Sequence, residues 1–420
     1  MNKIKRLAFF STAIVEIDNF LPLIDSLRRI RPDLKIEIVS LNFGSAYIDT
    51  PFYQKTLGDI KITPVFEYIG IPLYRTILKL FSDILSYQFK KRSMQKNNFV
   101  DNFLMRLFEY MVRVIVKSMP RGTANNRLNE IDYWIVSPGI INTFIEDSIS
   151  SYAGLIEWND KLYQKVVFFP ETFDQFTELP EYFDLPRLPN WKLANKLMSR
   201  GDKDKRIRVN SNTKIVDLGS PRYSYYWCKK INDYYGTYKD SKDSKVINVL
   251  YLPIKLSPRE QWLADEIVRL DREMFSILNS YSNVRILVKP HPRTKNNYAD
   301  VSKYTAHSDR VEVYEGQFDT AELARRSDIC VTGGTSFIPH LLWLGIPVIL
   351  TDDWAKRLGH TFLLEKHCYK WDDISILLNS VVNDVKIENR VTKKQLNNLF
   401  ECGVDSNNYA DFLDQQLNFL

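Results

Sequence analysis

The 420-residue sequence is poor in cysteine, glycine and proline, and each shortage removes a class of protein. Its four cysteines, Cys228, Cys330, Cys368 and Cys402, lie far apart and form no Cys-x-x-Cys pair. The sequence therefore predicts neither a disulfide framework nor a zinc site, and it favours a cytoplasmic protein. With only 15 glycines and 18 prolines, the chain is neither fibrous nor of low complexity.

Signals for export or membrane insertion are also missing. The basic start ending at Arg6 is followed by an apolar stretch that Glu16 and Asp18 interrupt, without a signal-peptide cleavage pattern. The run from Ile329 to Thr351 has no charged residue and is long enough to span a bilayer. Because glycines and prolines divide it, we predict a strand, a turn, a helix and a strand there.

Length and pattern indicate an α/β protein of two domains. Apolar residues make up 45% of the 420 positions, and apolar runs that fit strands alternate with helical spacings. A polar stretch from Gly236 to Ser244 is typical of a linker, so we predict domains at 1–235 and 245–420. The natural ligand site of such a protein is a cleft between the carboxyl ends of the strands.

Positive charge is concentrated in one segment. Ten basic and three acidic residues lie between Arg75 and Arg121, a net charge of +7 against +6 for the whole chain. Apolar spacing over about 73–118 predicts two amphipathic helices around a basic bend. This hairpin either packs on its own domain with a solvated basic face or docks on an anionic membrane surface. Nucleic acid is disfavoured as a partner, because no recognised nucleic-acid module accompanies the charge.

Two turns carry the chemistry of the second half. The run Lys289, Pro290, His291, Pro292, Arg293 directly follows the predicted strand Val284 to Val288. Two prolines stiffen the turn, so a histidine between two cations is presented at a strand end, an arrangement that suits an anion. A purely structural role, with His291 capping a loop, is the alternative.

The second turn is rich in glycine and hydroxyl groups. Gly333, Gly334, Thr335 and Ser336 follow the predicted strand Ile329 to Thr332, and Pro339 fits the first turn of the next helix. Free N–H groups at such a helix start are a common basis for phosphate binding.

The order of these motifs from Val246 to Val382 resembles the donor-binding domain of GT-B glycosyltransferases. The similarity is greatest to bacterial surface-polysaccharide enzymes with a His-Pro motif, namely the sialyltransferase, Kdo-transferase and polyol-phosphate-transferase groups. It includes a Gly316-Gln317-Phe318 loop, and Gly219-Ser220-Pro221-Arg222 is similar to the segment that closes the N-terminal domain there.

The resemblance implies a GT-B architecture, with two Rossmann-like domains facing a cleft. The N-terminal domain would bind the acceptor, a surface polysaccharide or lipid-linked glycan, and the C-terminal domain a nucleotide sugar, with CMP-linked acidic sugars among the candidates. A lipid-linked acceptor would place the enzyme peripherally on the inner face of the cytoplasmic membrane. The implied donor site consists of Lys289, His291, Arg293, Gly333, Gly334, Thr335 and Ser336 at the phosphates and Gly316, Gln317 and Phe318 at the base. Ser220 and Arg222 are the implied hinge.

A general base must take the proton of the acceptor hydroxyl in an inverting transfer. The place comparable to the family's acidic motif reads Ile156-Glu157-Trp158-Asn159-Asp160 and lacks the expected glycine, so Glu157 and Asp160 are the candidates. Their rivals are Glu171, Glu16 and Asp18. We expect no metal and no cofactor, because Asp352-Asp353 is better interpreted as a helix N-cap than as a metal motif.

Two other functions fit the same sequence. A nucleotide-sugar epimerase of the same fold would need an acid/base cluster, which the sequence does not assemble. A non-catalytic scaffold of a polysaccharide-assembly complex could dock by the basic helices. An intact phosphate turn argues against the scaffold, because a scaffold has no physical need for it.

Overall fold

The computed structural model describes most of the chain in two compact units. The described residues are 6–11, 14–41, 51–94, 99–120, 122–136, 155–157, 160–163, 165–169, 196–199, 214–236, 246–253, 272–277, 280–290, 310–314, 320–333, 335–351, 365–383, 387 and 390–418. Unit 1 comprises residues 1–224 and 398–420, and unit 2 comprises residues 225–397. The predicted domains were 1–235 and 245–420. In the structure the first unit ends earlier, at residue 224, and the last residues of the chain, 398–420, belong to it as well.

Unit 1 is built on a parallel sheet in the strand order β3-β2-β1-β4-β5-β6-β7. The strands are β1 (Arg6–Ser11), β2 (Lys35–Ser40), β3 (Ile62–Pro64), β4 (Tyr133–Val136), β5 (Val166–Phe168), β6 (Lys196–Ser199) and β7 (Lys214–Asp217). In β1, the run from Leu7 to Phe10 is completely buried, as expected for a strand that is covered on both faces.

Helices of unit 1 follow the strands along the chain. They are α1 (Ile14–Ile30), α2 (Pro51–Leu57), α3 (Pro72–Met94), α4 (Phe99–Ser118), α5 (Asn125–Leu128) and α6 (Asp160–Tyr163). Helices α3 and α4 confirm the two helices that apolar spacing predicted over 73–118. They contact each other through Phe81 and Phe108, whose ring centroids are 5.7 Å apart.

Unit 2 is built on a second parallel sheet in the order β10-β9-β8-β11-β12-β13. Its strands are β8 (Ile247–Leu252), β9 (Val284–Val288), β10 (Val311–Val313), β11 (Ile329–Thr332), β12 (Val348–Leu350) and β13 (Tyr369–Lys370). The helices are α7 (Tyr225–Tyr234), α8 (Thr320–Arg325), α9 (Ile338–Trp343), α10 (Ile374–Val382) and α11 (Lys393–Phe400). Helix α11 runs on into unit 1, which ends with α12 (Tyr409–Leu417).

Both sheets are wound in two directions from their centre. In unit 1 the chain moves outward from β1 to β3 and then from β4 to β7, so β1 and β4 are adjacent where the order reverses. In unit 2 the corresponding pair is β8 and β11. Ligands of doubly wound sheets bind outside the carboxyl ends of the strands at such a reversal.

The uncharged run from Ile329 to Thr351 forms β11, α9 and β12, as predicted. Its strands pair in parallel within the sheet, with Cys330 opposite Val348. Among the described helices, none is both long and apolar enough to cross a membrane.

Candidate functional site

Backbone hydrogen bonds align the strand ends at the carboxyl edge of the unit 2 sheet. The Lys289 N–H donates to the Tyr251 carbonyl at 3.0 Å, and the Tyr314 N–H donates to the Val288 carbonyl at 2.9 Å. These hydrogen bonds align the carboxyl ends of β8, β9 and β10. On the other side of β8, the Thr351 N–H donates to the Thr332 carbonyl at 3.0 Å, which aligns the ends of β11 and β12.

Lys289 is buried at this edge. Its side chain is only 6% exposed, and its Nζ lies 3.4 Å from the Pro290 carbonyl. Of the predicted arrangement of two cations around a histidine, only Lys289 lies within the described residues, and it is buried. His291 and Arg293 lie outside the described residues, as does the predicted base-binding loop Gly316 to Phe318.

The glycine turn after β11 lies at the reversal of the unit 2 sheet. Thr335 Oγ1 accepts the Phe337 N–H at 3.3 Å, and the Thr335 carbonyl accepts the Ile338 N–H at 3.3 Å. Helix α9 begins at Ile338, with Pro339 in its first turn as predicted. Its N-cap is Phe337 and not a hydroxyl residue. Thr335 and Ser336 thus precede the helix, and the Ser336 side chain is exposed.

Two buried polar atoms near this turn have no hydrogen-bond partner among the described residues. They are Nε2 of His340 and Oγ1 of Thr351, and both residues are at most 6% exposed. Burial lowers the pKa of His340 to about 3, so its ring is neutral. The ring stacks on Phe337 with 4.6 Å between centroids. Neither residue was a candidate in the sequence, because a histidine or threonine in an apolar run carries no motif.

The reversal of the unit 1 sheet lies at the start of α1. Glu16 is in the first turn of this helix, directly after β1, and is only 3% exposed. Asp18 pairs with Arg222, whose Nη2 lies 2.9 Å from Oδ2 of Asp18. A carboxylate in the first turn also stabilises the helix dipole, so both acids have a structural role there.

Glu157 and Asp160 occupy a different place. They lie late in the connection from β4 to β5, which leads through α6 to the amino end of β5. Glu157 is exposed and lies against Gly122, where an added Cβ would be 2.9 Å from Oε2 of Glu157. Residues 137–154, which follow the carboxyl end of β4, and the rival Glu171 lie outside the described residues.

The Gly219-Ser220-Pro221-Arg222 segment joins β7 to the C-terminal part of unit 1. Gly219 has a φ of +61°, and an added Cβ would lie 2.5 Å from the Phe400 carbonyl oxygen. The Ser220 N–H donates to the same carbonyl at 2.7 Å, and the Tyr409 hydroxyl donates to the Leu218 carbonyl. The implied hinge residues Ser220 and Arg222 therefore lie in a tightly bonded junction within unit 1.

Within the part of the chain that the structure describes, no three His, Cys, Asp or Glu side chains are arranged to hold a metal ion. Asp352 and Asp353 lie outside that part.

Two doubly wound parallel sheets in one chain define the GT-B fold, which the resemblance implied. Solved structures share this fold. The UDP-GlcNAc 2-epimerase of Methanocaldococcus jannaschii in complex with UDP-GlcNAc and UDP matches with a TM-score of 0.52 and 14% identity over 99% of this chain and 100% of that one. The Neisseria meningitidis UDP-GlcNAc 2-epimerase bound to UDP-GlcNAc matches with a TM-score of 0.52 and 12% identity over the same shares.

No protein-family model and no curated protein sequence matches the chain. At 12–14% identity, the likeness to the two epimerase structures shows the fold and nothing more specific. They support the GT-B fold and do not show the finer assignment to the sialyltransferase, Kdo-transferase or polyol-phosphate-transferase type.

Proposed function

We propose that this protein is a glycosyltransferase that moves a sugar from a nucleotide-activated donor to a surface glycan or a lipid-linked glycan. The observation that carries the proposal is the carboxyl edge of unit 2. There the glycine turn after β11 lies at the sheet reversal. A backbone hydrogen bond aligns the ends of the neighbouring strands β8 and β9. A polar, glycine-containing turn at that place suits a phosphate group.

The donor phosphates would contact the turn of Gly333, Gly334, Thr335 and Ser336, and also His291 and Arg293. Ser336 has an exposed hydroxyl, and Thr335 Oγ1 accepts a backbone bond but keeps its own proton to donate. Charge that builds on the leaving phosphate would be stabilised by these donors. That the two similar structures contain UDP-GlcNAc makes UDP the first nucleotide to test.

For the general base, the position of the unit 1 reversal favours Glu16 over Glu157. Glu16 follows β1 directly at the carboxyl edge, whereas Glu157 precedes β5 and is exposed to solvent. A base must lie within hydrogen-bond reach of the acceptor hydroxyl, and the carboxyl edge is where ligands of this fold bind.

Donor binding is tested by the thermal shift of the protein with CMP, CDP, UDP, GDP and dTDP. The nucleotide with the largest shift is then titrated against His291→Ala and Ser336→Ala, with Ser380→Ala as a control because Ser380 is bonded within helix α10, away from the turn. Loss of a charge-assisted bond at His291 should weaken binding about tenfold or more. If His291→Ala and Ser336→Ala both bind the nucleotide as tightly as the parent and the Ser380→Ala control do, neither turn belongs to the donor site.

The base is tested by comparing Glu16→Gln with Glu157→Gln at saturating donor. We expect Glu16→Gln to lower kcat by about a hundredfold or more while nucleotide affinity is kept. Glu157→Gln then serves as the matched control. If Glu157→Gln lowers kcat more than Glu16→Gln does, the general base is Glu157 in the connection from β4 to β5.

An epimerase is the second candidate, because the structures from Methanocaldococcus jannaschii and Neisseria meningitidis that share the fold are UDP-GlcNAc 2-epimerases. The two reactions differ in what they need. A transferase releases nucleotide only when an acceptor is present, whereas an epimerase that works by proton abstraction incorporates deuterium from D₂O into the sugar without any acceptor. If the recovered nucleotide sugar contains deuterium, the protein is an epimerase and the proposed transferase is wrong.

A further inference from the structure

The helices α3 and α4 leave a large apolar surface uncovered, which we name the apolar ridge. Its members are Leu73 and Leu80 on α3 and Phe103, Leu107, Tyr110 and Val114 on α4. The residues on α4 are spaced by four, three and four, so they form one helix face. Leu73, Phe103 and Tyr110 are 67%, 58% and 63% exposed, so more than half of the surface of each residue is accessible to solvent.

The opposite faces of the two helices pack into unit 1. Leu78 and Val112 are completely buried, and Phe81 packs on Phe108. Each helix therefore has one apolar face in the core and a second one in solvent. Exposed apolar side chains that share one helix face are typical of an interaction site.

Positive charge borders the apolar ridge. Lys79 and Lys117 are exposed, and neither forms an ion pair with any residue in the described part of the chain. The sequence places Arg106, Arg113 and Lys117 at spacings of seven and four, which is one row along α4. The segment from Arg75 to Arg121 has a net charge of +7.

We propose that the apolar ridge inserts into the headgroup region of an anionic lipid bilayer, with α3 and α4 lying along its surface. Apolar side chains bordered by lysine and arginine are the composition of helices that lie in a membrane interface. A second copy of the chain fits poorly, because it would bring another +7 against the first. Helix α4 has 20 residues and is about 30 Å long, so it offers an extended contact. This inference does not depend on the donor or the reaction.

Vesicle co-sedimentation tests the proposal with two pairs of variants. Phe103→Gln with Leu107→Gln removes ridge surface, and Ile376→Gln with Val382→Gln is the matched control on α10 of unit 2, where both residues are also exposed. Lys79→Glu with Lys117→Glu reverses the bordering charge, and Lys394→Glu is the control at another exposed lysine. Vesicles of neutral phosphatidylcholine are compared with vesicles that contain 30% phosphatidylglycerol, at 0.05 M and 0.5 M salt.

We expect the parent to bind the anionic vesicles and to bind neutral ones much more weakly. The ridge variant should lose about tenfold or more in partitioning at both salt concentrations, since insertion scales with buried apolar area. The charge variant should lose binding mainly at low salt, because high salt already screens the attraction in the parent. The control variants should behave as the parent does.

Three results would overturn the proposal. The first is a parent that ignores anionic vesicles at low salt. The second is a ridge variant that binds them as the parent does. The third is a parent that sediments as a dimer while the ridge variant is monomeric and vesicles have no effect, because the ridge would then be a contact between two copies.

Discussion

Replacing Gly219 by alanine should selectively loosen the junction between β7 and the C-terminal segment of unit 1. The glycine has a φ of +61°, a conformation that costs an L-residue about 1–2 kcal/mol. The new Cβ would also lie 2.5 Å from the Phe400 carbonyl oxygen, so the backbone must shift. That shift weakens the Ser220 to Phe400 hydrogen bond, worth about 0.5–1.5 kcal/mol, and together the two effects amount to about 1.5–3.5 kcal/mol.

Gly236 offers a matched control for this change. Its φ is +67°, but an added Cβ would meet nothing within 4 Å. Gly236→Ala therefore carries the backbone strain without the steric clash. The difference between the two variants isolates the contact with Phe400.

Amide hydrogen exchange followed by mass spectrometry measures the effect locally. For Gly219→Ala, peptides covering residues 214–224 and 398–409 should exchange about ten to three hundred times faster, since each factor of ten corresponds to about 1.4 kcal/mol. Peptides of unit 2 should be unchanged. If Gly219→Ala accelerates exchange in these peptides no more than Gly236→Ala does around its own position, the close approach to Phe400 does not stabilise the junction.

Two further predictions concern unit 2. Gly334→Val should abolish nucleotide binding in a titration, because a side chain there would block the approach of a phosphate to the backbone. The melting temperature should stay close to that of the parent. Retained affinity would make the turn purely structural. His340 has a pKa lowered to about 3 by burial, so folding loses stability as the pH falls below the ordinary value near 6.5, by about 1.4 kcal/mol per pH unit. His340→Leu should remove that slope between pH 6.5 and 5 in thermal unfolding, and an unchanged slope would show that the ring is not held neutral.

Local patterns in the sequence were sufficient for much of the fold. The strands Val284–Val288 and Ile329–Thr332 have the bounds that the sequence predicted. Ile329–Thr332 is buried throughout, as expected for a strand covered on both faces, whereas Val284–Val288 has one exposed residue, Arg285. The two helices over 73–118 were equally visible from their spacing. The final helices and the strand β3 were not predicted, because β3 has only three residues and the last helix packs against α1, which is distant in sequence.

The candidate site was only partly visible from the sequence. The turns after β9 and β11 were predicted as site turns, since glycine, proline and hydroxyl residues directly after a strand are a local signal. The burial of Lys289 was not, and neither were the buried atoms of His340 and Thr351 that have no hydrogen-bond partner within the described residues, because the sequence does not show which neighbours cover a side chain.

By itself, the sequence determined that the chain forms strands and helices in α/β alternation, and that charge collects between Arg75 and Arg121. Only the tertiary structure decided the strand order, which places the glycine turn at one sheet reversal and Glu16 at the other. It also joined Tyr409 to Leu218 across 191 residues and left the apolar ridge uncovered. The reason is physical: periodicity records which faces of an element are apolar, whereas the partner of each face is chosen by contacts between segments far apart in the chain.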